Sequence, residues 1–227
     1  MRSAFLILSL SIFPSPLVVA QPNDGYLPKK ITPDAHYLFY LHGGVVQQQG
    51  ADAVSPYYGP YNYLAILDSL RNYGFMVISE VRPKDTEEVT YAKKVAAQVD
   101  SLLTYGVNPH KITLVGASLG AYITIESALR IKNPNVNYAV LGLCSDYALE
   151  YFSDSKKRLA GNFLSIYERT DEKGSCKELI LNKSEHTSFK EIQLNMGNSH
   201  GFLFRPYPEW IVPLVEWIHD SKHKTNN

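Results

Sequence analysis

Apolar residues fall along this chain in two rhythms, short strand-like runs and longer stripes at helical spacing, and the two alternate. His36 to Leu41 reads as a buried strand and stops at His42-Gly43-Gly44. From Val45 to Pro60 the chain is rich in Gln, Gly and Tyr and reads as a long loop. Tyr61 to Asn72 sets Leu64, Leu67 and Leu70 on one side of a helix that Gly74 ends. Phe75 to Ser79 is a second buried strand. Thr86-Glu87-Glu88 opens a helix with acidic side chains in its first turn, where the helix dipole favours them, and it runs to Tyr105. Lys111 to Val115 is a strand and Ala121 to Ile131 a helix free of Gly and Pro. Tyr138 to Leu143 is a strand, Asp146 to Leu159 a weaker helical pattern, and Phe163 to Tyr167 another strand. Glu172 to Leu181 reads as a helix, Phe189 to Leu194 as a strand, and Pro208 to His219 as an amphipathic helix containing Pro213. This alternation calls for an α/β architecture: a mostly parallel central sheet of about six to seven strands with helices on both faces. With no repeat, low-complexity tract or linker, residues 21–227 read as a single domain.

Residues 1–20 stand apart from that pattern. Arg2 supplies a positive start, and Ala4 to Leu10 with Ile12 and Phe13 forms an apolar run broken by Pro14 and Pro16. Val18-Val19-Ala20 then places small residues before Gln21. The segment reads as a cleaved signal peptide, too short and too Pro-broken to span a bilayer, so a secreted or periplasmic protein is expected. The 227 residues are 45% hydrophobic, enough for a sizeable core, and 22 basic residues balance 22 acidic ones. Neither nucleic acid nor an anionic membrane is an expected partner. Export also changes the reading of the two cysteines. Cys144 closes one strand and Cys176 lies just beyond the next, so a bridge is expected if those strands are neighbours; two free thiols are the alternative.

The candidate chemistry centres on Gly116-Ala117-Ser118-Leu119-Gly120, caught between a strand and a helix. A G-x-S-x-G in that setting is a nucleophile elbow, a turn so sharp that glycines must flank it and the serine is left exposed at the helix start. In a parallel sheet, ligands gather past the carboxyl ends of the strands. The reactive residues there are His42-Gly43-Gly44, Ser118, Asp146, Asp171 and His200. The order serine, acid, histidine along nearly the whole chain, from about His36 to about His219, resembles that of the α/β-hydrolases. The matching motifs are the HGG turn, GASLG, the Asp after the penultimate strand and the His after the last. The first two strands of the full family sheet are poorly marked, so a minimal version of the fold without a large lid is implied.

The physical demands of the roles agree. A serine hydroxyl needs a base to take its proton, and His200, in a Gly- and Asn-containing loop, suits that task. Asp171 is the expected acid that orients the imidazole, with Asp146 the alternative and Glu168 and Glu172 as flanking rivals. Backbone N–H groups of Leu119 and Gly44, with Val45 adjacent, are the expected oxyanion donors. His42 is expected to organise that turn and not to act as a second base. About eighteen residues separate Cys144 from Phe163, room for one helix but not for a lipase-type lid. The stretch from Val45 to Pro60 either shapes a pocket or is an ordered surface loop. No metal-binding spacing is present, and no cofactor is expected. Asn182-Lys183-Ser184 matches a glycosylation acceptor, relevant only in a eukaryotic secretory route.

The expectation is therefore a serine hydrolase acting on small or medium acyl esters. Peptidase, amidase or acyltransferase activity on the same residues is the near alternative, and a catalytically silent binding protein is the alternative of another class. The oligomeric state is left open.

Overall fold

The computed structural model describes residues 27–153 and 158–220; residues 1–20, read above as a signal peptide, and Gln21 lie outside the described residues. In chain order the elements are β1 (Tyr37–Leu41), α1 (Gly44–Gln49), β2 (Val54–Ser55), β3 (Gly59–Pro60), α2 (Tyr63–Asn72), β4 (Met76–Ile78) and α3 (Glu88–Thr104). They continue with β5 (Ile112–Ala117), α4 (Leu119–Ile131), β6 (Asn137–Leu141), α5 (Asp146–Tyr151), β7 (Leu159–Glu168), α6 (Lys177–Asn182), β8 (Ser184–Leu194) and α7 (Pro208–Asp220). Six strands form one sheet in the order β4-β1-β5-β6-β7-β8, and every neighbouring pair is parallel.

The strands read as unbroken apolar runs because both faces of the sheet are covered. On β1, Tyr37, Phe39 and Leu41 turn to one face, where they join Val95, Val99 and Leu102 of α3 and Ile123 of α4. Leu38 and Tyr40 turn to the other face, against Ile66 and Leu70 of α2 and Trp210, Leu214 and Ile218 of α7. The period of two along each strand thus feeds two separate cores. Because all six strands point the same way, their carboxyl ends share one edge, and the loops leaving that edge are brought together.

Three stretches differ from the pattern-based expectation. The segment from Val45 to Pro60 is not a plain loop: it holds α1 and the small antiparallel pair β2–β3. The helix expected from Asp146 to Leu159 stops at Tyr151, and β7 already begins at Leu159. Likewise β8 starts at Ser184, five residues before its apolar run, because its first half pairs with β7 and not with a hydrophobic partner set. Cys144 and Cys176 are bonded to each other, with Cα atoms 5.2 Å apart.

Candidate active site

β5 passes into α4 through a single residue, Ser118, whose backbone has φ 52° and ψ −114°. Positive φ is unfavourable for a residue with a Cβ, and the surroundings hold it there. The glycines on either side explain how the turn fits. A Cβ at Gly116 would run into the Gly120 carbonyl and the Thr124 hydroxyl, and one at Gly120 would run into the Leu41 carbonyl. The Ser118 N–H donates to the Leu141 carbonyl at 2.9 Å, which fixes the turn against β6. Its side chain is left half-exposed at the start of α4.

Asp171 follows β7, and His200 follows β8 in a 3-10 turn, Ser199–Phe204, where the sequence suggests an irregular loop. Nδ1 of His200 lies 2.5 Å from Oδ2 of Asp171. The Asp171 carboxylate is 1% exposed and the His200 side chain 19%, so the acid is sealed in while the imidazole reaches the surface. With Nδ1 donating to the carboxylate, Nε2 carries the free lone pair. The ring rests on Gly142, the residue after the one that holds the Ser118 N–H: a Cβ at Gly142 would stand 3.0 Å from Cε1 of His200. Histidine and serine therefore flank one short piece of backbone at the end of β6. Among the described residues no hydrogen bond joins the Ser118 hydroxyl to His200. Asp146 lies exposed in the first turn of α5, and Glu172 is exposed and paired with Lys173 at 2.6 Å.

The HGG turn stands on the other side of the serine. A Cβ at Gly43 would be 3.6 Å from Cβ of Ser118, and one at Gly44 would be 3.6 Å from the Leu119 side chain. Gly44 opens α1 and Leu119 opens α4, so both N–H groups belong to first helical turns, which have no partner within their own helix. Two helix starts converge on one place, and both favour negative charge there.

His42 supports this turn from within. It is fully buried, its Nδ1 donates to the Gly43 carbonyl at 2.9 Å, and its Nε2 accepts from the Arg82 N–H at 3.0 Å. Burial, and then the neighbouring Arg82 charge, lower its pKa to about 3, so it is neutral. The sequence reading did not single out Arg82. This guanidinium is 1% exposed, donates to the His42 carbonyl at 2.5 Å through Nη2 and to Gln47 at 2.9 Å through Nε. Burial lowers its pKa only to about 10, so a positive charge remains behind the turn. Its only signal in the sequence was its position just past β4, on the functional edge.

Part of the Val45–Pro60 stretch turns inward. Gln47 is buried and its amide donates to the Lys84 and Thr86 carbonyls at 3.2 and 3.1 Å. Tyr58 packs against the His200 turn, with its ring 5.2 Å from that of Phe204, while Tyr57 is fully in solvent. Gln48 and Gln49 are exposed.

No protein-family model and no curated protein sequence matches the chain. Solved structures do. The esterase Est22 aligns with TM-score 0.53 at 20% identity, over 86% of this chain and 75% of its own. Est1E from Butyrivibrio proteoclasticus aligns with TM-score 0.53 at 13% identity, over 86% and 91%. SOBER1 from Arabidopsis thaliana aligns with TM-score 0.51 at 14% identity, over 83% and 99%. At such identities the likeness concerns the backbone. A parallel sheet in the order β4-β1-β5-β6-β7-β8, with a serine elbow at its centre and these neighbours, has the α/β-hydrolase fold.

Proposed function

We propose that the protein is a serine hydrolase that cleaves carboxylic esters of small to medium acyl groups through an acyl-Ser118 intermediate, and that residues 1–20 direct it to a secreted or periplasmic location. The observation that carries the reading is the sealed Asp171 carboxylate on Nδ1 of an accessible His200. That bond sets the tautomer in which Nε2 is the base. Ser118 Oγ attacks the ester carbonyl carbon as Nε2 takes its proton. The imidazolium so formed is stabilised by Asp171. The oxyanion receives hydrogen bonds from the N–H groups of Leu119 and Gly44, with the Arg82 charge behind them. When the tetrahedral species collapses, Nε2 returns the proton to the leaving alcohol. Water then attacks the acyl-serine by the same route. Contacts between nucleophile and base are often long in the free protein and tighten around substrate, which accommodates the present Ser118–His200 arrangement.

The preference for modest acyl groups rests on the short covering structure after β6, where α5 has six residues. A panel of p-nitrophenyl esters of increasing acyl length, beside amino-acid p-nitroanilides, tests the proposal. Short-chain esters are expected to turn over fastest and the anilides more slowly. Faster anilide cleavage contradicts the ester assignment in favour of an amidase. Acyl transfer to added alcohol that outruns hydrolysis contradicts it in favour of a transferase.

A further inference from the structure

The loops that carry Asp171 and His200 are joined by a buried side chain that belongs to neither residue. Glu168 ends β7 opposite Leu194 of β8, and its residue is 0% exposed. Its Oε1 accepts from the N–H groups of Met196 and Gly197, at 3.0 and 3.1 Å, on the histidine loop. Its Oε2 accepts from the Thr170 N–H at 2.6 Å and from the Thr170 hydroxyl, on the acid loop. The Thr170 oxygen in turn accepts from the N–H of Ser199 at 3.2 Å, one residue before His200. One carboxylate thus binds both loops, and a hydroxyl extends the connection to the backbone beside the imidazole. No ion pair to Glu168 occurs among the described residues, so these partners are neutral donors.

The sheet itself pairs β7 with β8 through backbone register up to Glu168↔Leu194. What the carboxylate adds is a fixed offset between two loops that would otherwise be independent beyond the strand ends. The backbone beside the imidazole is one that gains from restraint: Ser199, which carries a Cβ, sits at φ 49°, in the region side chains disfavour. Burial alone would push the Glu168 pKa up; the Thr170 hydroxyl and the N–H groups of Thr170, Gly197 and Met196 outweigh it and hold the group below the ordinary carboxylate value. The ionised form, with acceptors on both oxygens, is the one the site is built around.

We infer that Glu168, acting through Thr170, is a positioning residue that holds Asp171 and His200 in hydrogen-bonding register. The inference rests on the catalytic reading proposed above for its effect on turnover, but the register itself is measurable separately. An amide at residue 168 offers one acceptor oxygen, so whichever way it turns, one pair of donors faces an NH2 group. Thr170→Val keeps the carboxylate and the side-chain volume and removes the hydroxyl, with both its bond to Glu168 and its bond from the Ser199 N–H.

The test compares wild type, Glu168→Gln, Thr170→Val and Thr170→Ser in two ways. The first is p-nitrophenyl acetate turnover per Ser118 labelled by a fluorophosphonate, a ratio that discounts unfolded protein. The second is the low-field proton resonance of the His200 Nδ1–H, identified by its loss in Asp171→Asn. Glu168→Gln is expected to lower kcat per labelled site by about tenfold to a hundredfold with KM nearly unchanged, as a small misplacement of a base does. The low-field resonance should be lost or broadened. Thr170→Val should move both readouts in the same direction, and Thr170→Ser should restore them. Folded Glu168→Gln and Thr170→Val proteins that keep wild-type kcat per site and the wild-type resonance overturn the inference. If Glu168→Gln does not fold, the Thr170 pair decides. If wild-type protein is not labelled at Ser118, the catalytic reading fails, and the resonance alone then decides whether Glu168 holds the pair.

Discussion

His42 and His200 show how the same side chain is given opposite tasks by its surroundings. His200 is partly accessible and donates from Nδ1 to a buried carboxylate, which leaves the lone pair of Nε2 free. His42 is sealed, with one nitrogen donating to a carbonyl and the other accepting from an N–H, so a proton has nowhere to go. Its pKa falls from 6.5 to about 3. The unfolded chain therefore binds a proton in this interval that the native state refuses, and stability falls as pH drops below the ordinary histidine range. The urea midpoint of the wild type should fall between pH 6.5 and 4.5 with a contribution that His42→Gln lacks, approaching about 1.4 kcal/mol per pH unit at most. Parallel curves for the two proteins across that interval would contradict a neutral buried His42. The positions of Ser118, Asp171 and His200 past the ends of β5, β7 and β8 were legible in the sequence, because strand ends can be read from apolar runs and ligands of a parallel sheet gather there. Arg82 and the bonding role of Glu168 were not. Both act by hydrogen bonding to the backbone of other loops, and no local pattern records a partner brought from elsewhere in the chain.

The elbow between β5 and α4 depends on how closely α4 approaches β1. Gly120 lies in the first turn of α4, where the Leu41 carbonyl occupies the place of a Cβ. Gly120→Ala must push helix and strand apart, and it should cost several kcal/mol, at about 3 or more, in urea unfolding. An alanine variant as stable as wild type would mean that the helix can shift freely against β1. Elements with a strong period were readable to within a few residues: α3, α4 and α7 each present an apolar stripe, and the central strands β1, β5 and β6 are buried at every position. What escaped the reading were elements made by neighbours. α1 is six residues long and mostly Val and Gln, too short for a period to show, and it forms because the HGG turn and the Arg82–Gln47 bond start and hold it. The first halves of β7 and β8 lack an apolar run, and each is a strand because it pairs with the other.

Two cores on opposite faces of one sheet make the molecule, and its functional edge is reinforced by ties that cross between loops. The Cys144–Cys176 bond joins the end of β6 to the start of α6 and closes a loop with a sequence separation of 32, within which Asp171 lies. The Gly174 N–H adds a bond to the Cys144 carbonyl at 2.9 Å, and Glu191 of β8 accepts from the Cys176 N–H at 2.9 Å. Removing the bridge in a Cys144→Ser/Cys176→Ser variant should lower the unfolding free energy by about 3–4 kcal/mol, from the loss of loop constraint in the unfolded chain. A variant with an unchanged urea midpoint would show that the bridge does not constrain the unfolded chain. The proposed chemistry requires Ser118, His200 and Asp171 to act as one unit. Fluorophosphonate labelling with mass-spectrometric location of the adduct measures this most directly. Modification is expected on Ser118, with none in Ser118→Ala, a labelling rate reduced by about 10³-fold or more in Asp171→Asn, and a near wild-type rate in Asp146→Asn. Labelling at another residue, or an Asp146→Asn protein that is slow while Asp171→Asn is fast, would contradict that chemistry.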